Sequence, residues 1–156
     1  MLPISKKTVP MEAKSEEELP AGGGWQYEPK WDGFRCLVFK DDKKVELLSR
    51  NQRPLNRYFP ELVEAFAALP VPRFVLDGEI ILVMGLEVSF EALQLRLHPA
   101  ASRIRKLAVE TPASFVAFDM LADAGGQDLR RMPLAERRAA LEARFEAIDR
   151  PRLIQL

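Results

Sequence analysis

The spacing of hydrophobic residues changes near residue 25. Upstream, residues 1–24 mix Lys, Glu and Pro with three consecutive glycines and show neither a helical nor a strand period, which indicates an arm or linker. Downstream, FRCLVFK and VELLS are short apolar runs separated by the polar DDKK, a pattern typical of an antiparallel hairpin. We therefore divide the chain into an N-terminal arm, 1–24, and a folded part, 25–156.

The remaining apolar segments predict both helices and strands. Apolar residues at helical spacing predict helices over 60–69, 90–97, 104–108 and 134–148. In the last of these the apolar face consists of Leu134, Leu141, Phe145 and Ile148, and the Arg and Glu residues form the solvated face. FVLDGEIILV predicts one bulged strand or two strands that meet at a bend, SFVAFDML predicts a strand, and RLIQL begins another. Because strands and helices are interspersed without regular βαβ alternation, we expect an α+β fold with a mainly antiparallel sheet and flanking helices.

Composition excludes several classes of protein. One cysteine, Cys36, and one histidine, His98, exclude an internal disulfide and any multi-Cys or His-rich metal site, so carboxylates would have to hold a metal. The 23 basic and 23 acidic residues give no global positive field, although a local basic surface stays possible. No apolar run approaches the roughly 18 residues of a membrane span, and the first 20 residues are polar, so we expect a cytoplasmic protein with no membrane partner.

The segment YEPKWDGFR contains the first candidates for chemistry. If it is an extended strand, Glu28, Lys30 and Asp32 project from one face, and Gly33 permits a tight turn or the close approach of a ligand. A solvated edge with a surface ion pair explains the same spacing. A nucleophilic lysine must instead be neutral, and Asp32 alone favours its ammonium form, so that mechanism needs burial and a metal cation.

Two further strand-like segments carry candidates of their own. Asp77 and Glu79 flank Gly78, which indicates either a bulge with exposed acids or a site for Mg²⁺ or a ribose hydroxyl. Phe118, which precedes Asp119, is either a core residue or a platform on which a nucleobase stacks.

A group of polar residues follows the VELLS strand. Arg50 lies in SRNQR, which is either an ordinary polar turn or a place where arginines hold phosphate through paired hydrogen bonds. We expect Cys36 to be a small buried residue and His98, which precedes a proline, to lie at a helix end or on the surface.

Taken in order, EPKWDGFR, SRN, LDGEI and FVAFD resemble the motifs of the covalent nucleotidyltransferase superfamily and, within it, the ATP-dependent DNA ligases. The segments YEPKWDGFRCLVF, SRNQRPLNRYFPEL and LHPAASRIR are most similar to the small bacterial repair ligases and to the ligase module of bacterial end-joining enzymes. The resemblance covers residues 12–156 and implies the N-terminal part of an adenylation domain.

The resemblance implies a reaction that proceeds through a covalent lysine adduct. Lys30 would attack the α-phosphate of ATP, expel pyrophosphate and hold AMP as a phosphoramidate. AMP would then pass to a 5′-phosphate at a nick in double-stranded DNA, and the 3′-hydroxyl would displace it to seal the strand during DNA repair. The implied cofactors are ATP and Mg²⁺, and the implied partners are nicked DNA and repair or end-joining proteins.

The resemblance also implies a role for each motif residue. Glu28 would contact the adenine edge, and Arg35 and Arg50 would contact sugar, phosphate or the nick. Glu79 would lie near the ribose and the metal, and Phe118 would stack on adenine. The supporting residues would be Asp32, Gly33 and Asp77. Mg²⁺ and the arginines would offset the bias from Asp32 and let Lys30 lose its proton.

The sequence departs from the family in its second half. The family's Glu-Gly-x-x-x-Lys and Lys-x-Lys segments and its OB-fold domain do not occur in it, and no glycine follows Gly126. We therefore expect self-adenylation by this chain alone to be feeble or nil. Two alternatives stay open: a noncatalytic module that binds nucleotide or DNA, and a relative of the RNA ligases or capping guanylyltransferases.

Overall fold

The computed structural model describes residues 1–156 and contains one five-stranded sheet with helices. The strands of this sheet are β1 (Phe34–Asp41), β2 (Lys44–Ser49), β3 (Arg73–Ile81), β6 (Ser114–Ala122) and β7 (Ile154–Gln155). A separate hairpin consists of β4 (Val83–Met84) and β5 (Glu87–Val88). The helices are α1 (Pro60–Ala68), α2 (Phe90–Gln94), α3 (Ala101–Glu110) and α4 (Leu134–Glu146). None of them has the length and hydrophobicity that a membrane span requires.

The strand order is β2-β1-β3-β6-β7, and every pair except β6–β7 is antiparallel. This arrangement confirms the α+β class with a mainly antiparallel sheet. The hairpin between β1 and β2 turns at Asp42 and Lys43, where the polar DDKK predicts it. The other hydrophobic patterns also form helices and strands at the expected places, because amphipathic periodicity is a local property of the chain.

The strand predicted through residues 28–32 is absent, and residues 1–33 contain neither helix nor strand. The physical reason is the length of the neighbouring strand. Phe34 already pairs with Ile80, one residue before β3 ends, so the preceding residues have no partner for strand hydrogen bonds. Glu28, Lys30 and Asp32 therefore lie on an irregular segment.

The sheet has two covered faces. Alternate strand residues such as Cys36, Val38 and Leu76 face α1 and α4 in the larger core, and Cys36 is fully buried as expected. Residues of the opposite phase, including Leu37 and Val75, form a smaller core on the other face. We call this second side the arm face, because Ile4 of the N-terminal arm is buried there.

The pairing of β3 with β6 shifts register at two places, between Val75 and Leu76 and, as a β-bulge that borders a cleft, between Asp77 and Gly78. Asp77 pairs with Asp119, whereas the next residue, Gly78, pairs with Ala117, so Phe118 is an extra residue on β6. The bulge or bend predicted within FVLDGEIILV is therefore wrong, because β3 runs unbroken from Arg73 to Ile81 and the extra residue lies on the neighbouring strand β6. Because a bulge breaks the alternation of side chains, the consecutive residues Phe118 and Asp119 both line a cleft on the arm face.

Helix α4 departs from its predicted amphipathic pattern at two residues, Leu134 and Arg137. Leu141 and Phe145 are fully buried as expected, whereas Leu134 is 42% exposed. Arg137, which the pattern assigns to the solvated face, is only 8% exposed because its guanidinium group pairs with Asp119 of β6. The prediction that all arginines of this helix are solvated is therefore wrong.

Candidate functional site

A cleft of about 1020 Å³ lies on the arm face of the sheet. Its walls come from residues 10–13 of the arm, the segment 28–33, strands β1, β3 and β6, and the start of α4. It brings together all nine residues that the sequence indicates for chemistry, which are Glu28, Lys30, Asp32, Gly33, Arg35, Arg50, Asp77, Glu79 and Phe118. His98 does not line the cleft; its Nδ1 accepts a hydrogen bond from the Ala100 amide at 3.0 Å.

Lys30 lies in the cleft with its side chain 92% exposed. Its Nζ is 3.7 Å from Asp32 Oδ1, and both groups are solvated, so their attraction contributes little to stability. Glu28 is also exposed, and its carboxylate accepts a hydrogen bond from Gln26 Nε2 at 2.6 Å. The amine is therefore accessible to a ligand in the cleft without any change in the packed core.

Arg35 and Asp77 form a paired contact on the floor of the cleft. Arg35 Nε donates to Asp77 Oδ1 at 2.6 Å and Arg35 Nη2 donates to Asp77 Oδ2 at 2.8 Å. Burial raises the pKa of Asp77, and the Arg35 guanidinium offsets part of that effect. Asp77 is 3% exposed, so the reading of this position as a bulge with exposed acids is wrong. The charge of Arg35 is largely committed to Asp77 and to holding the strands together.

Glu79 is the half-buried carboxylate beside this pair. Burial raises its pKa to about 7, and Arg35 opposes that shift. No group of three or more His, Cys, Asp or Glu side chains could hold a metal ion. Mg²⁺ is commonly held by one or two carboxylates together with substrate phosphates and water. Glu79 therefore fits the role of a single carboxylate ligand beside bound phosphates, and does not fit a metal site made by protein groups alone.

Phe118 stands at the bulge of β6 and is not part of the core. The Arg35 guanidinium lies over its ring, with the Cζ atom 4.7 Å from the ring centroid. The ring also borders a neighbouring cleft of about 430 Å³, which Tyr27 and Trp31 line as well. A flat group could therefore stack on the side of the ring that Arg35 leaves uncovered.

Arg50 reaches the cleft from the turn after β2. It is exposed, and its Nη2 donates a hydrogen bond to Glu12 of the arm. The arm also meets the site at Met11, whose backbone oxygen accepts a hydrogen bond from Arg35 Nη2 at 3.3 Å. Arm residues thus contact two of the three arginines that line the cleft.

Asp119 and Arg137, to which the sequence motifs assign no role, also line the cleft. Arg137 Nε and Nη2 donate to the two oxygens of Asp119 at 2.8 and 2.9 Å, and Arg137 Nη1 donates to the Met132 carbonyl at 2.6 Å. The available signal was spacing, because Arg137 precedes the buried Leu141 and Phe145 by four and eight residues. That period places Arg137 on the apolar face of α4.

Comparisons with known proteins agree on one family. Residues 8–155 match the model of the ATP dependent DNA ligase domain. The chain is 54% identical over 141 residues to DNA ligase C2 of Mycolicibacterium smegmatis, covering 90% of this chain and 39% of that protein. It is 35% identical over 140 residues to the bifunctional non-homologous end joining protein LigD of Bacillus subtilis, covering 85% of this chain and 23% of that protein.

A solved structure gives the same result. The ligase domain of Mycobacterium tuberculosis LigD superimposes with a TM-score of 0.54 at 30% sequence identity, covering 77% of this chain and 36% of that one. The chain spans about two fifths of the length of the DNA ligase C proteins it matches, with 38% and 39% covered in two of them.

Proposed function

The chain belongs to the ATP-dependent DNA ligase family, and on that premise we propose that its cleft binds ATP and that Lys30 is the nucleophile. The Lys30 amine, after losing a proton to water, forms a bond to the α-phosphorus of ATP. The bond from that phosphorus to the bridging oxygen breaks, pyrophosphate leaves with the electron pair, and the nitrogen, positively charged after attack, loses a second proton to water. The product is AMP joined to Lys30 as a phosphoramidate.

The convergence of polar residues in one cleft supports this proposal. Lys30 and Gly33 come from the segment before β1, Arg50 from the turn after β2, Glu79 from β3 and Phe118 from β6. These four parts of the chain are distant in sequence and meet only in the folded protein. The resulting cleft combines an accessible lysine side chain, an exposed arginine, a half-buried carboxylate and an aromatic ring.

Each group suits a different part of ATP. We assign the adenine base to the ring of Phe118 and the base edge to Glu28, since both residues line the neighbouring cleft of about 430 Å³. Arg50 offers a cation for phosphate, and Arg35 lies deeper beside Asp77. Mg²⁺, when bound to the phosphates beside Glu79, would neutralise charge on the triphosphate. Three residues would support these contacts. Asp32 would hold Lys30, Asp77 would hold Arg35, and Gly33 would let the segment 28–33 lie close to β3.

The proposed acceptor of AMP is the 5′-phosphate at a nick in double-stranded DNA. Relatives of the chain are named DNA ligases, and LigD of Bacillus subtilis is named a non-homologous end joining protein. We extend that chemistry to this chain as part of a DNA repair activity, with repair or end-joining proteins as partners. Such a reaction on bacterial chromosomal DNA would take place in the cytoplasm.

Because Lys30 is so exposed, we expect this chain alone to form little of the AMP adduct. Its side chain is 92% exposed and its ion pair is with the solvated Asp32, so no packed contact holds the amine in line with a bound phosphate. ATP binding without a covalent product, as in a noncatalytic nucleotide-binding module, is therefore the second candidate function.

Labelling with ATP carrying ³²P at the α-phosphate distinguishes the two functions. We expect Mg²⁺-dependent ATP binding and a weak label after denaturing electrophoresis, and we expect Lys30→Ala to lose the label. Lys43→Ala is the matched control, because Lys43 is exposed in the β1–β2 turn and does not line the cleft. Undiminished label in Lys30→Ala, or no ATP binding by the unmodified chain, would overturn the proposal. Binding with no label at all would favour the noncatalytic module.

A further inference from the structure

Four charged side chains form two adjacent paired contacts beneath the cleft, and we call them the charge quartet: Arg35, Asp77, Asp119 and Arg137. The contacts of Arg35 with Asp77 are 2.6 and 2.8 Å long, and those of Arg137 with Asp119 are 2.8 and 2.9 Å long. Each arginine therefore meets both oxygens of one carboxylate, a geometry that fixes orientation as well as charge.

The two carboxylates of the quartet are direct neighbours on adjacent strands. Asp77 of β3 pairs in register with Asp119 of β6, which places like charges side by side in a poorly solvated position. Arg35 of β1 neutralises Asp77, and Arg137 of α4 neutralises Asp119. Loss of Arg35 would leave the buried Asp77 without its partner, and loss of Arg137 would leave the poorly solvated Asp119 without its partner, which is costly in both cases.

Two members of the quartet lie next to Phe118, Arg35 at its ring and Asp119 along the chain. The Arg35 guanidinium lies over that ring at 4.7 Å from the centroid, and Arg35 is itself held by Asp77. Asp119 directly follows Phe118 and is the residue at which pairing with β3 resumes after the bulge. Its carboxylate accepts hydrogen bonds from Arg137, which connects this point of β6 to α4. Both the ring and its backbone are thus fixed by members of the quartet.

We propose that Asp119 and Arg137 are positioning residues for Phe118, which hold the β6 bulge so that the ring stands in the cleft as a platform for the nucleobase. This proposal rests on the proposed function, in which the cleft binds ATP. Without the Asp119–Arg137 contact, a strand that returned to regular alternation would turn either Phe118 or Asp119 toward the opposite face of the sheet. Neither residue needs to touch the reacting phosphate.

The first arm of the test measures the ring without any nucleotide. We expect Arg137→Met to move the NMR signals of the Phe118 ring in the free chain and to broaden them. Arg144→Met is the matched control, because Arg144 is an exposed arginine of the same helix and does not line the cleft. Unchanged Phe118 signals in a folded Arg137→Met chain would overturn the proposal.

The second arm compares dissociation constants for MgATP and for inorganic tripolyphosphate. Loss of one base–aromatic stack corresponds to roughly 5- to 150-fold weaker binding, so Arg137→Met should weaken ATP binding by an amount in that range. The affinity for tripolyphosphate, which has no base, should stay within about twofold of the unmodified chain. An equal loss for both ligands would show that Arg137 acts on the phosphates and would overturn the positioning role.

A double variant keeps the test decisive if Arg137→Met fails to fold. Asp119→Asn combined with Arg137→Met removes both partners and leaves no unpaired charge, so it should fold and show the same ring movement and the same ATP-selective loss. A double variant that folds and matches the unmodified chain in both arms would contradict the proposal. If the unmodified chain binds no ATP, the proposed function fails, and the ring measurement still decides whether the quartet positions Phe118.

Discussion

Gly33 is the position where the structure makes its sharpest prediction about the segment that carries Lys30. A Cβ atom added at Gly33 would lie 2.1 Å from the backbone oxygen of Ile80 and 3.0 Å from Glu79 Cγ. Carbon and oxygen atoms in close contact are normally about 3.3 Å apart or more, so Gly33→Ala must separate this segment from β3 by about 1 Å. The obstacle is backbone in a central strand and cannot rotate away.

The loss of stability expected for Gly33→Ala is that of overpacking a close-packed site. Forced insertion of a methyl group into a close-packed site costs about 1–3 kcal/mol, and for a chain of this length each kcal/mol lowers the melting temperature by roughly 2–4 °C. Gly23→Ala is the matched control, because no atom lies within 4 Å of its added Cβ. Its only expected effect is through the unfolded chain, a stabilisation of about 0.4–1 kcal/mol where the backbone conformation suits alanine.

Urea unfolding followed by circular dichroism measures both variants. Because Lys30 lies three residues before Gly33, we also expect Gly33→Ala to weaken ATP binding, whereas Gly23→Ala should not. A Gly33→Ala chain as stable as the unmodified protein, with unchanged ATP affinity, would refute the inference that close packing on β3 positions the lysine.

Three further predictions concern stability. The pKa of Glu79 in the folded chain, about 7, lies above its ordinary value of 4.5, so the folded chain binds this proton more tightly than the unfolded chain does. In buffer without divalent ions, we therefore expect the free energy of unfolding to fall as the pH rises from about 4.5 to about 7. The midpoint of urea unfolding should change less with pH across that range in Glu79→Gln than in the unmodified chain. Arg96 is fully buried against Glu61, so Arg96→Met should cost about 3–5 kcal/mol by urea unfolding; a cost below about 1 kcal/mol would contradict this. Phe145→Ala should cost about 3–5 kcal/mol in the core, whereas Val109→Ala, at an exposed position, should change stability by less than about 0.5 kcal/mol in thermal melts.

Local hydrophobic patterns predicted most of the secondary structure. The β1–β2 hairpin and helix α4 follow from spacing and turn residues that lie within a few positions of one another. Residues 28–32 did not follow their period-two pattern, because a strand needs a neighbour and β3 ends too early to provide one. Pairing between distant strands is not contained in a local pattern.

In the candidate site, the sequence predicted the residues but not the contacts they make. The resemblance of the ordered motifs to a nucleotide-binding family implied one site for their residues, and all nine line one cleft, which their local spacing alone could not predict. The partners of those residues could not be read from spacing, because Asp119 and Arg137 are 18 positions apart and meet only after α4 packs on the sheet. The contact of Arg50 with Glu12 likewise depends on the path of the arm.

Protection of Lys30 from chemical modification bears most directly on its assignment as the nucleophile. An amine-acylating reagent, with mass spectrometry of the digested chain, gives the modification rate of each lysine with and without saturating MgATP. We expect ATP to slow modification of Lys30 strongly and to leave Lys43, which lies outside the cleft, unchanged. Equal rates at Lys30 in the presence and absence of ATP would contradict the assignment.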